Sequence, residues 1–151
     1  MNEVTIVLPG DPIPLKRPQI SYKRMYDPQA RLKQDLSWLV KEQLPPLLNP
    51  TTSDFTGPFS LTISFFMPIP RTFSNRIKEK LNNSPHYKKP DIDNLLKFYL
   101  DVCNGILYND DSQIYSITTT KTYSDHTSTI ITAHYLGIPI ENKKTVGHFP
   151  S

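Results

Sequence analysis

Phe59, Leu61, Ile63 and Phe65 alternate with Ser60, Thr62 and Ser64, a period of two that predicts a half-buried strand crossing the core. Pro68-Ile69-Pro70 ends it, because proline has no amide to give to a ladder. Toward the amino terminus, Glu3 to Leu8 is rich in β-branched residues and stops at Pro9-Gly10, which predicts a first strand. Pro12, Pro14 and Pro18 hold the next stretch extended as a rigid loop, and Gln19 to Tyr26 reads as a short edge strand. Asp27-Pro28 offers an N-cap followed by proline at the first helical position. Leu32, Leu36, Leu39, Val40 and Leu44 then recur as one helical stripe that ends at Pro45-Pro46. A polar loop occupies 47–58, and a basic connection over 71–89 includes a short helix from Asn75 to Leu81.

The second main helix lies within PDIDNLLKFYLDVCNGILYNDD, residues 90–111. Asp93-Asn94 can open it, and Asn104-Gly105 can close it, since both tolerate left-handed backbone geometry. Gln113 to Tyr123 and Thr127 to Leu136 read as two strands of a hairpin turning at Ser124-Asp125-His126. The pattern predicts an α+β (mixed α/β) single domain, with a mixed sheet of four or five strands and two principal helices. Residues 137–151 form a polar tail.

With 151 residues there is room for one core and little more. The net charge of +3 is modest, but its distribution is not even. Lys16, Arg17, Lys23, Arg24, Arg31 and Lys33 face a single acid, Asp27, and Arg71, Arg76, Lys78, Lys80, Lys88 and Lys89 face Glu79. Basic runs of this kind suit a polyanion, although each alone also reads as a solvated face. Cys103 has no partner for a disulfide and falls in the apolar pattern of its helix, where it reads as a small buried hydrophobe. His86, His126, His134 and His148 lack zinc-site spacing. No secretory signal or membrane-spanning run is present, so a cytoplasmic location is expected.

Candidate chemistry concentrates in two acidic pairs, Asp91/Asp93 before the helix and Asp110/Asp111 after it. If the post-helical segment runs back along the helix, three or four carboxylates converge and require a cation or protons. Magnesium suits them as a hard ion held by one or two carboxylates, water and substrate phosphates. An N-cap at Asp93 and a solvated turn at Asp110-Asp111 account for the spacing equally well. Lys97, four residues after Asp93, shares its helical face and can meet either a carboxylate or a phosphate.

Taken together, Pro90-Asp91-Ile92-Asp93-Asn94-Leu95-Leu96-Lys97, Leu100-Asp101, Asn104-Gly105 and Asp110-Asp111-Ser112-Gln113-Ile114 resemble the RusA family of Holliday junction resolvases, in its prophage-type form. The opening Pro-Gly-Asp-Pro-Ile-Pro with Lys16-Arg17-Pro18 resembles the family's amino-terminal signature. The resemblance implies a resolvase domain over 1–136. It further implies a homodimeric, Mg2+-dependent endodeoxyribonuclease that resolves four-way DNA junctions by paired symmetric nicks. Asp91, Asp93 and Asp111 match the metal-binding carboxylates, and Lys97 the essential lysine. Asp110 belongs to the motif as a residue that supports the turn and the metal ligands instead of touching the metal. DNA contacts are expected from Lys16, Arg17, Lys23, Arg24, Arg71, Arg76, Lys88 and Lys89. The family's arginine-rich run before the first aspartate is replaced by Tyr87-Lys88-Lys89-Pro90, which keeps charge and loses the bidentate guanidinium fork. A nuclease for flaps or branched DNA generally, and an inactive junction-binding protein, are the alternatives.

Overall fold

The structure, a computed structural model, describes residues 2–21, 24–44 and 57–136. Ten residues from Phe59 to Pro68 form β4, whose side chains alternate between buried and half-buried as the period of two predicts. It is an interior strand. Its neighbours are β6 (Ser128–Tyr135), antiparallel, and β5 (Ile114–Ser124), parallel, while β1 (Asn2–Pro9) pairs antiparallel with the far side of β6. The sheet order is therefore β1-β6-β4-β5.

Ile6, Ile131 and Ile63 lie abreast across three of these strands and are fully covered. The cover is α3 (Ile92–Cys103), which buries Leu95, Phe98, Tyr99, Val102 and Cys103. That spacing of three, four, seven and eight residues defines a single apolar helical stripe. Phe59 stacks on Tyr108 at 4.9 Å and approaches Tyr135 at 5.8 Å, closing the core beneath the carboxyl end of the helix. On the opposite side of the sheet Thr5, Thr132, Thr62 and Thr118 stand in one row, so that face is polar.

The hairpin expected over 113–136 does not form. Ser124 does turn the chain, its hydroxyl donating to His126 O at 3.0 Å and accepting from His126 N at 3.1 Å. However, β4 lies between β5 and β6, because a strand with one face fully buried gains most by pairing on both edges. Gln19 to Tyr26 is likewise not an edge of this sheet: β2 (Gln19–Ser21) and β3 (Arg24–Tyr26) pair with each other. The expected helix stop at Pro45-Pro46, the loop through residue 56 and the tail 137–151 lie outside the described residues.

The first helix, α1 (Ala30–Gln43), takes Gln29 and not Asp27 as its N-cap residue. Asp27 instead forms the turn ahead of it, accepting from Gln29 N at 2.9 Å and pairing with Lys33 at 2.7 Å. Only Val40 of the predicted stripe is fully buried; Leu36 and Leu44 pack partly, while Leu32 and Leu39 remain 39% and 37% exposed. The helix rides against α3 and β1 at the rim of the core, so a narrow strip suffices. Ser37 Oγ donates to Val102 O at 2.9 Å, and Lys33 reaches Asp101 of α3 at 3.1 Å. The side chain of Gln43 caps the edge of β1, bonding both Val7 N and Val7 O at 2.8 Å. Among the described residues no helix is long and apolar enough to cross a membrane.

The Lys33 bridge has a pH signature. The hydrogen bond from Lys33, then that from Gln29 N, lowers Asp27 below its ordinary 3.8. A depressed carboxylate stabilises the fold above its unfolded pKa and loses that contribution as the pH falls through the folded value. The difference in urea midpoint between the parent and Lys33→Met should therefore be constant at neutral pH and shrink below about pH 4. A difference that is unchanged at pH 3 would remove Asp27 from the bridge.

Candidate active site

Asp91 is the N-cap of α3, two residues earlier than the Asp93-Asn94 start read from the sequence, and its carboxylate makes no capping bond. That carboxylate, 53% exposed, meets only the ammonium of Lys89 at 3.3 Å among the ion pairs of the described residues. Asp93 is exposed in the first helical turn. Both line one open depression with His86, Tyr87, Lys88, Lys89, Ile92 and Lys121. Lys97 lies on the exposed face one turn beyond Asp93 and outside that lining.

The backbone ahead of Asp91 is ordered by the edge of β5. Asn83 N donates to Tyr123 O at 2.8 Å, Tyr123 N to Ser84 O at 2.9 Å, and His86 N to Lys121 O at 3.0 Å. From there the ammonium of Lys121 takes over, donating to Lys88 O at 2.7 Å and Pro90 O at 2.8 Å across the cis Lys89–Pro90 peptide. His86 packs its ring on Tyr123 at 4.6 Å; burial first and the charge of Lys121 second keep its imidazole below the usual value. The basic connection thus becomes a border of the sheet, with α2 (Asn75–Leu81) where the sequence placed it, capped by Ser74.

The proline-rich loop approaches the same end of α3. Ile13 N donates to the hydroxyl of Tyr99 at 3.0 Å and Leu15 N to Asn94 O at 2.9 Å. The buried side chain of Gln29 completes the attachment, accepting from Lys16 N and donating to Pro14 O. Lys16 and Arg17 therefore sit exposed next to Asp93-Asn94. Of the other expected DNA contacts, Arg24 is exposed on β3, Arg76 on α2, and Lys88 stands over the ring of Tyr87 at 5.1 Å. Arg71 lines a different hollow with Asp11, Lys78, Glu79 and Asp125. Lys23 lies outside the described residues.

The second acidic pair is elsewhere. Gly105, at φ 78°, closes α3, and Tyr108 is driven into the core, its hydroxyl donating to Leu100 O at 2.7 Å. Asp110 is committed to a turn: its carboxylate accepts from the amide and hydroxyl of Ser112, which lowers its pKa, and Gln113 completes a capping box. Asp111 opens that turn, exposed, at the carboxyl end of α3; with burial as the main cause, its negative charge helps push the Cys103 thiol up to about 12. Cys103 is buried, as the sequence suggested. From Ile114 to Lys121 the strand advances roughly 23 Å at about 3.3 Å per residue, and α3 spans about 18 Å. The strand, not the segment before it, runs back to Asp91, so the convergence of Asp91, Asp93 and Asp111 within one chain does not occur. Among the described residues no group of three or more His, Cys, Asp or Glu side chains is placed to hold a metal.

The model of the endodeoxyribonuclease RusA family matches residues 9–133. The chain belongs to the RusA family. The match takes in the proline-rich loop, β4, β5 and all but the last two residues of β6, α3 and both acidic pairs, while β1 lies outside it except for Pro9. An uncharacterized protein of Bacillus subtilis (strain 168), YqaN, is 28% identical over 135 residues, covering 83% of this chain and 91% of that protein. RusA membership makes this an endodeoxyribonuclease family member and implies action on Holliday junctions. Lys121 was missed by the sequence reading. Its signal was a lysine in phase with Ile117, Thr119 and Tyr123, the side of β5 that faces α3.

Proposed function

We propose that the protein is a homodimeric, magnesium-dependent resolvase that cuts four-way DNA junctions by paired symmetric nicks. What carries this is the exposure of Asp91 and Asp93 in one depression, the former unspent on its helix, between the basic Lys16-Arg17 and Lys88-Lys89 segments. Hard oxygen donors with open space for phosphate fit magnesium, which needs only one or two carboxylates from the protein. Bound there, the ion supplies Lewis acidity toward the scissile phosphate and a lowered pKa for water. Asp91 and Asp93 would hold it, and Lys89, now paired with Asp91, would be free to meet the DNA backbone. Lys97 lies one turn along α3 to offset charge on the phosphate or the leaving oxygen.

Asp111 stands at the far end of α3, so its place in the same coordination sphere requires a second copy. A two-fold pair in which each chain lends Asp111 to the other creates two identical sites, and a junction has two symmetric strands to cut. The test is cleavage of a mobile four-way junction with magnesium and with chelator. Symmetric nicks only with magnesium are expected. Equal cutting of linear duplex would leave a nuclease without junction selectivity, preferential cutting of flaps would move the substrate, and binding without cleavage would leave a junction-binding protein.

A further inference from the structure

Lys121 occupies an unusual position. In register with the fully buried Phe65, it lies on the core side of an edge strand, where an apolar residue would bury more surface. Inward lysines do protect free sheet edges from pairing with another chain, but this edge is already covered through the bonds of Asn83, Ser84 and His86 to β5. Its ammonium is instead directed at two backbone carbonyls, Lys88 O and Pro90 O, at 2.7 and 2.8 Å. The second belongs to the residue immediately before Asp91. From Asp91 the helix starts, its carbonyl accepting from Leu95 N at 3.2 Å.

We propose that Lys121 is a positioning residue for the acidic site: by gripping the carbonyls of Lys88 and Pro90 it sets the backbone from which the Asp91 carboxylate enters the depression. This rests on the magnesium-dependent function proposed above and adds to it a residue that touches neither the ion nor the scissile phosphate. Charge-assisted bonds to backbone are the stronger kind, and two from one head group fix direction as well as distance. Asp91 has no capping bond to hold it, so its orientation depends on the backbone that precedes it. The same ammonium also belongs to the lining of the depression that holds Asp91 and Asp93.

Lys121→Met keeps the length and apolar stem of the side chain and removes the donors. Hydrogen exchange of the 84–93 backbone, followed without divalent metal by mass spectrometry, should accelerate about tenfold or more. The magnesium concentration for half-maximal junction cleavage should rise about tenfold, the effect of losing an outer partner of a metal ligand. Junction affinity in chelator should change by less than about twofold, since it comes from distributed phosphate contacts. Lys121→Arg should restore both exchange protection and the magnesium response, and Lys121→Leu, which also lacks donors, carries the same readings should the Met variant not fold. Unchanged exchange would overturn the grip on the loop. Faster exchange with an unchanged magnesium response would overturn positioning and leave a purely structural lysine. A parent protein that gains nothing from magnesium would overturn both this role and the function on which it rests.

Discussion

Asp111→Asn should yield a folded protein that binds a four-way junction in chelator at least as tightly as the parent and cleaves it at least about 100-fold more slowly with magnesium. Asp111 is exposed, and if it completes the proposed shared site its carboxylate places negative charge where a phosphate must come, so neutralising it relieves repulsion in the absence of metal. Asparagine keeps one oxygen donor and the shape of the side chain, but it lowers the field that holds the cation. The turn itself should survive, because Asp110 and Gln113 form its capping box. A gel shift at fixed salt and a single-turnover rate at saturating protein separate the two effects.

Mixing gives the same variant a sharper reading. If each site joins Asp91 and Asp93 of one chain to Asp111 of the other, an Asp91→Asn chain paired with an Asp111→Asn chain builds one intact site and one doubly defective site. Random exchange makes half the dimers mixed, so about a quarter of sites should recover, with nicks on one strand per junction. No recovery after demonstrated subunit exchange would place Asp111 outside the shared site. Near-parental cleavage by Asp111→Asn alone would remove it from the chemistry altogether.

Phe98→Ala should cost about 3–5 kcal/mol, a large fraction of the stability of a domain this size. Phe98 is fully buried in the middle of the α3 stripe, with its ring 5.0 Å from that of Tyr99, so its loss leaves a cavity between helix and sheet. Because α3 carries Asp91, Asp93 and Lys97, the residual activity of this variant should fall in step with its folded fraction and recover on cooling. An unfolding free energy from urea within about 1 kcal/mol of the parent would mean that the helix is held by its contacts with α1 and not by the sheet.

Much was legible along the chain because it depends on neighbours within one or two turns. The β4 alternation, the α3 stripe, the short helix at Asn75 and the left-handed stop at Gly105 all appear where the residues predict them. Local signals misled where two local choices compete: Asp27 was a plausible N-cap, yet its carboxylate is drawn to Lys33, and Gln29 takes the position. The hairpin was plausible as well, since strands adjacent in sequence usually pair. What displaced it was the demand of β4 for two partners, a property of the assembled sheet that neither β5 nor β6 contains.

The candidate site divides in the same way. By itself the sequence determined which side chains can do the chemistry, namely two acidic pairs, Lys97 and the basic segments, because charge and ligand hardness belong to residue types. Their arrangement was left to the tertiary structure. Packing Tyr108 against Phe59 holds the post-helical turn, and with it Asp111, at the carboxyl end of α3, while the pairing of β5 with residues 83–86 brings Lys121 to the opposite end beside Asp91. Distances of this kind depend on where buried aromatic rings and strand registers place whole elements, and no spacing along the chain encodes them.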